Sequence, residues 1–287
     1  MAVTDRYPTR TRRRLAGTAL GIVLLTMLGC STPSVSTAVP SPSTSPARGS
    51  TGPGSATVPS RTVTKLLVVV EENHSLAQMR SEMPYTFGLA QRFGYATSYA
   101  AIQHPSEPNY IAIIGGQTYG ISNDAPPAQK PVDGTSVFGQ ALAAGRTAAV
   151  YADGMTSPCS TESGGSGYAV RHNPWAYFTA ERDACGQYDV PIDQLSGAIT
   201  AGSLPDVGLL IPNVCHDAHD CPLSTADAWF QQWMKRVFSG PDWKSGHLAV
   251  VLTADEDDRH SATRSSPWSS TRASTETSWR RRSRTIR

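Results

Sequence analysis

Cysteine is scarce in this chain, five in 287 residues, and no Cys-x₂-Cys pair occurs. That disfavours a zinc finger or ribbon, whose ligands come at such short spacings. No Gly-x-Gly-x-x-Gly follows an apolar run and no P-loop is present, which sets aside the common dinucleotide and nucleoside-triphosphate folds. A membrane-spanning helix needs about 20 apolar residues, and the longest run, Leu15 to Leu28, falls short of that. Charge is also low, 17% of residues with a net of +2, but the average hides an asymmetry. Residues 30–258 hold 12 basic against 21 acidic side chains. So acidic a body is a poor nucleic-acid partner, and its carboxylates are better suited to holding a cation. With 39% hydrophobic residues the chain can bury a sizeable core, as one large domain or two small ones.

The two ends read differently from the middle. Residues 1–29 form an export signal: Arg10, Arg12, Arg13 and Arg14 precede the apolar run, and Met27-Leu28-Gly29-Cys30 has lipobox form. Lipidated Cys30 would tether an exported protein to the outer face of a cell membrane; plain secretion, a twin-arginine route and an uncleaved anchor helix are the other readings. Residues 30–62, rich in Ser, Thr, Pro and Gly, read as a disordered linker. At the far end, residues 259–287 are off-pattern. From His260 to Arg287, 20 of 28 residues are Ser, Arg or Thr, without apolar periodicity. A basic disordered tail is one reading; a reading-frame shift near Arg259 is the preferred one. With Ser from TCN codons, a shifted frame puts T in the middle position, and Ser265, Ser266, Trp268, Ser269 and Ser270 become an aliphatic run.

Between these ends, residues 63–258 carry apolar runs suited to buried strands at 65–70, 147–151, 206–211 and 247–252. Helical patterns fall at 76–93, 107–114, 136–144, 192–200 and 225–238. Alternating strands and helices predict a mostly parallel sheet covered on both faces, with ligands at the carboxyl ends of the strands. Three runs end in polar clusters: Glu71-Glu72-Asn73-His74-Ser75, then His216-Asp217-Ala218-His219-Asp220, then Asp255-Glu256-Asp257-Asp258. Each alone could be a solvated loop. Crowded on one sheet edge they would repel unless cations balanced them. Ser106, in His104-Pro105-Ser106-Glu107-Pro108-Asn109-Tyr110, sits where a helix begins, either as a cap or as a nucleophile in the field of the helix N-terminus. The four cysteines after Cys30 suggest two disulfides, with Cys159–Cys185 and Cys215–Cys221 the pairing of sequence neighbours and a zinc site the rival.

These motifs, with Tyr168-Ala169-Val170-Arg171-His172-Asn173-Pro174-Trp175, resemble the bacterial phosphoesterase family of secreted acid phosphatases and phospholipases C, in order over residues 65–258. The resemblance implies a three-layer α/β/α sandwich, alkaline-phosphatase-like, whose C-terminal part here is missing or frameshifted. It implies a divalent metal on Glu72, Asn73, Ser106, Asp255 and Glu256, with Ser106 the nucleophile forming a phosphoseryl intermediate. His172 and His219 would contact the phosphoryl group or protonate the leaving oxygen. The activity implied is a metal-dependent phosphomonoesterase of acid-phosphatase type, with phosphate esters as substrates, phosphoinositides such as phosphatidylinositol 3-phosphate among them. A phospholipase C-type phosphodiesterase and an inactive truncated lipoprotein are the alternatives. Family members continue past the Asp-Glu motif with a further strand and a Thr-His element, which the sequence as written replaces with its off-pattern tail.

Overall fold

The computed structural model describes residues 62–259 and a short strand at 269–271. The export signal, Cys30, the linker and the remainder of the tail lie outside the described residues. Five strands run parallel: β1 (Lys65–Glu71), β2 (Ala148–Ala152), β3 (Asp189–Pro191), β4 (Val207–Ile211) and β5 (Leu248–Ala254). A sixth, β6 (Ser269–Thr271), pairs antiparallel with β5, and the order is β3-β2-β4-β1-β5-β6. β1 and β5 fall where the apolar runs predict strands and extend past them, to Glu71 and Ala254. β3 was not expected; at three residues it is too short to leave a hydrophobic pattern.

On one face lie α1 (Leu76–Glu82), α2 (Pro84–Phe93), α6 (Asp193–Ala201), α7 (Leu223–Ser239) and the single turn α8 (Pro241–Lys244). On the other lie α3 (Ser106–Gly115), α4 (Val137–Ala143), α5 (Arg182–Tyr188) and three 3₁₀ turns between Val170 and Glu181. The expected 76–93 helix is two helices. Pro84 disfavours the α region at Met83, which adopts φ −120°, ψ 69° and starts α2 afresh. The donors of that new N-terminus are met from across the fold: Asp227 of α7 accepts from Tyr85 N, Thr86 N and Thr86 Oγ1 at 2.7–3.0 Å. α7 is the principal cover of its face, burying Trp229, Phe230, Trp233, Met234 and Val237 at i, i+3, i+4 spacing.

Both neighbour-pair disulfides are present, Cys159–Cys185 and Cys215–Cys221. The second closes the loop after β4 that carries Asp217 and His219. Among the described residues no helix is long and apolar enough to cross a membrane.

Candidate active site

Parallel strands bring every polar cluster to the same sheet edge. β1 and β5 are in register through Glu71 opposite Ala254, so Glu72 and Asp255 emerge side by side, and Asp255 N donates to Glu71 O at 3.1 Å. The β4 loop joins them through Glu72 N, which donates to Asp217 O at 2.8 Å. Asn73 adopts positive φ, 39°, a conformation Asn tolerates better than most residues.

Ser106 opens α3, with Pro105 as the N-cap residue. Its hydroxyl faces carboxylates rather than capping the helix, 3.0 Å from Glu72 Oε2 and 3.2 Å from Glu256 Oε1. The Asn73 amide lies 2.6 Å from Glu256 Oε1 and 2.9 Å from Glu72 Oε2, donating to both when its nitrogen faces them. Asp255 Oδ1 accepts from Glu256 N at 2.7 Å, while buried Asp255 Oδ2 has no hydrogen-bond partner. The five residues expected to hold a metal are therefore together, and Glu72, Asp255 and Glu256 each bring an oxygen within 4.8 Å of the others.

These carboxylates are nearly inaccessible to water, which sets their electrostatics. Burial pushes Asp255 well above the usual carboxylate range, and the charges of Glu72 and Glu256 add to it. Glu256 is raised by burial and Glu72 despite opposition from His104. Glu72 is lowered: burial works against ionisation, but His172 overcomes it. Crowded hard-oxygen donors, one with a free lone-pair oxygen, fit a divalent cation.

His172 lies beneath this cluster, fully buried. Its Nε2 is 3.0 Å from Glu72 Oε1 and its Nδ1 3.1 Å from Asp217 Oδ2, and its ring stacks on Tyr110 with centroids 5.0 Å apart. Burial alone would lower its pKa, but Glu72 and Asp217 raise it to about 9. Its two ring nitrogens thus face carboxylates within ion-pair distance, without forming aligned hydrogen bonds to them. His219 differs. It is exposed at the mouth, its ring centroid 6.0 Å from that of His172, its Nδ1 2.7 Å from Asp220 Oδ1 and its Nε2 3.3 Å from Arg171 Nη2.

The structure adds residues to which sequence reasoning gave no role. Arg171 supplies a positive charge beside His219. His104 pairs with Glu256 through Nδ1 and sits 2.9 Å from Asp257 Oδ1 through Nε2. Glu71, fully buried below the cluster, is driven far toward its neutral form by burial, with Asp217, Asp227 and Glu72 contributing. Arg171 and His104 stand inside the motifs already noted, one residue before His172 and two before Ser106, and that proximity was the available signal.

Fold and site together define an α/β protein in which a serine at a helix start meets a buried carboxylate cluster at the strand ends. The chain belongs to the phosphoesterase family, whose model matches residues 71–285. It is 30% identical over 203 residues to the phosphatidylinositol-3-phosphatase of Mycobacterium tuberculosis, covering 69% of this chain and 64% of that protein. To an acid phosphatase of Aspergillus fumigatus it is 25% identical, covering 58% of this chain and 38% of that one. The chain thus spans less than two thirds of the length of these relatives. Among solved structures, a protein in the alkaline phosphatase superfamily from Vibrio parahaemolyticus superposes with a TM-score of 0.49 at 11% identity, over 70% of this chain and 56% of that one.

Proposed function

We propose that this domain is a metal-dependent phosphomonoesterase with Ser106 as nucleophile. The observation that carries the reading is the Ser106 hydroxyl held between Glu72 and Glu256 at the start of α3. Glu72, Asn73, Asp255 and Glu256, with Ser106 itself, would hold a divalent cation. Bound there, it would neutralise phosphate charge and lower the pKa of the serine hydroxyl.

The chain's own residues account for the remainder. Arg171 and His219 line the mouth and receive the phosphoryl oxygens. Ser106 gives its proton to an adjacent carboxylate and its Oγ attacks phosphorus as the P–O bond to the leaving group breaks. His219 protonates the departing alkoxide once Arg171 turns from its Nε2 to the phosphoryl oxygens. Water then cleaves the phosphoseryl ester and releases phosphate, splitting one displacement into two. His172, clamped between Asp217 and Glu72, holds Glu72 ionised and oriented. Phosphoinositides are the proposed substrates, on the strength of the mycobacterial relative's name. Two disulfides support export, and tethering through lipidated Cys30 would place the domain beside such lipids.

The test is phosphate release from a soluble monoester and from phosphatidylinositol 3-phosphate, by wild type and Ser106→Ala, with and without a chelator. Release lost in both controls is the expected result. Turnover that survives Ser106→Ala rejects the assignment, and diacylglycerol as the product would indicate phosphodiester chemistry instead.

A further inference from the structure

Side chains along a strand alternate between faces. On one face of β1 and β5, Leu67, Val69, Val250 and Leu252 are 0–1% exposed. On the other, Leu66, Val68 and Val251 are only half-buried. They line two grooves of about 810 and 350 Å³. Tyr99 and Ile102, lining the smaller groove, are 36% and 61% exposed. Among the described residues, this apolar face borders open grooves. Along the same flank the sheet ends in β6, whose residues Ser269, Ser270 and Thr271 pair with Leu252, Val251 and Val250. Polar residue types therefore flank one of the most buried strands in the molecule. The family match runs to residue 285, so this stretch lies within the matched span.

The genetic code supplies an occupant. Read from the third base of the preceding codon, a TCN serine codon becomes NTC, which encodes Phe, Leu, Ile or Val whatever N is. The Trp codon TGG becomes NTG, encoding Leu, Met or Val. With TCN serine codons, positions 265, 266, 268, 269 and 270 all become large apolar residues in that register. Pro267 becomes Ser, Pro, Thr or Ala, and Thr271 becomes Tyr, His, Asn or Asp. Such a run has the length and character of a core strand, and it overlaps the residues that pair with β5. Codon arithmetic and strand pairing select the same place.

We propose that the sequence beyond about Arg259 arises from a one-nucleotide shift of reading frame. The natural chain carries the apolar register there, and its aliphatic strand lies beside β5. Nothing in this rests on the phosphatase assignment, and neither test below reads turnover.

The first test is the nucleotide sequence of the source DNA across codons 255–287, with mass spectrometry of the native protein. TCN codons at Ser265, Ser266, Ser269 and Ser270, a shifted register open beyond codon 287, and native peptides from that register are expected. AGY serine codons would give Lys, Gln, Glu or stop in that register and overturn the proposal. So would a native peptide containing Trp268-Ser269-Ser270. The second test compares thermal melts and apolar-dye binding of the full chain as written and the full chain in the shifted register. The shifted chain should melt at least about 5 °C higher and bind less dye. Equal midpoints and equal dye binding would reject the shifted strand as the occupant of this flank.

Discussion

β1 and β5 present the same kind of aliphatic side chains to both faces of the sheet, yet the two faces end up in different states. Toward α7 the packing is closed: Leu67, Val69, Val250 and Leu252 meet Phe230 and Met234 in one core. Toward α3, among the described residues, only the upper part of β1 is covered, where fully buried Val70 joins the core of Tyr110 and Ile111, while Leu66 and Val68 border open grooves. The site stands on the closed part, at the ends of β1 and β5 and the start of α3. Completing the catalytic edge and completing the flank are thus separable demands on one sheet, and each can be broken alone.

Breaking the edge gives the largest effect. Ser106→Ala should cost at least about 10³-fold in kcat/KM while leaving the melting midpoint within a degree or two, checked by steady-state kinetics beside calorimetry. A parallel fall in midpoint would mean that site and fold are not separable here. Next, a divalent cation at about 100 times its Kd should stabilise the folded domain by about 2.7 kcal/mol. Asp255→Asn should erase most of that gain, as read from melts with and without chelator.

The two faces are then compared directly. Leu67→Ala on the closed face should cost about 2–5 kcal/mol by denaturant unfolding, whereas Leu66→Ala, one residue away on the open face, should cost under about 1 kcal/mol. Equal costs would show the grooves to be filled in solution.

A smaller effect comes from Asp189 beneath the 3₁₀ turns. Burial raises it from 3.8 to about 7, against the opposing hydrogen bond from Asn173 Nδ2 at 2.7 Å. Its folded pKa lies above its unfolded one, so the folded state holds the proton more tightly. The associated stability is complete below 3.8 and is lost as pH rises to about 7. Asp189→Asn should flatten the melting profile over that window, and an unchanged slope would remove Asp189 as its source.

The residues that make strands and helices were largely legible in the chain, because buried parallel strands need continuous aliphatic runs and helices need a 3.6-residue period. Glu72, Asn73, Asp255 and Glu256 stood out as candidates, since they lie two to four residues past such runs. The helix expected over 76–93 ran through Pro84, and the restart there is held by Asp227 arriving from α7 to satisfy α2. That His172 is clamped between Glu72 and Asp217 while His219 stays open is invisible in their motifs. Their histidines look equivalent in sequence, and only packing against Tyr110 decides which loses access to water. Sequence alone determined which side chains could do chemistry, because composition and period reflect local backbone demands. Which of them face one another, how far burial shifts their ionisation, and which face of β1 packs closed against α7 were decided by tertiary structure, since desolvation and charge coupling depend on distance through space.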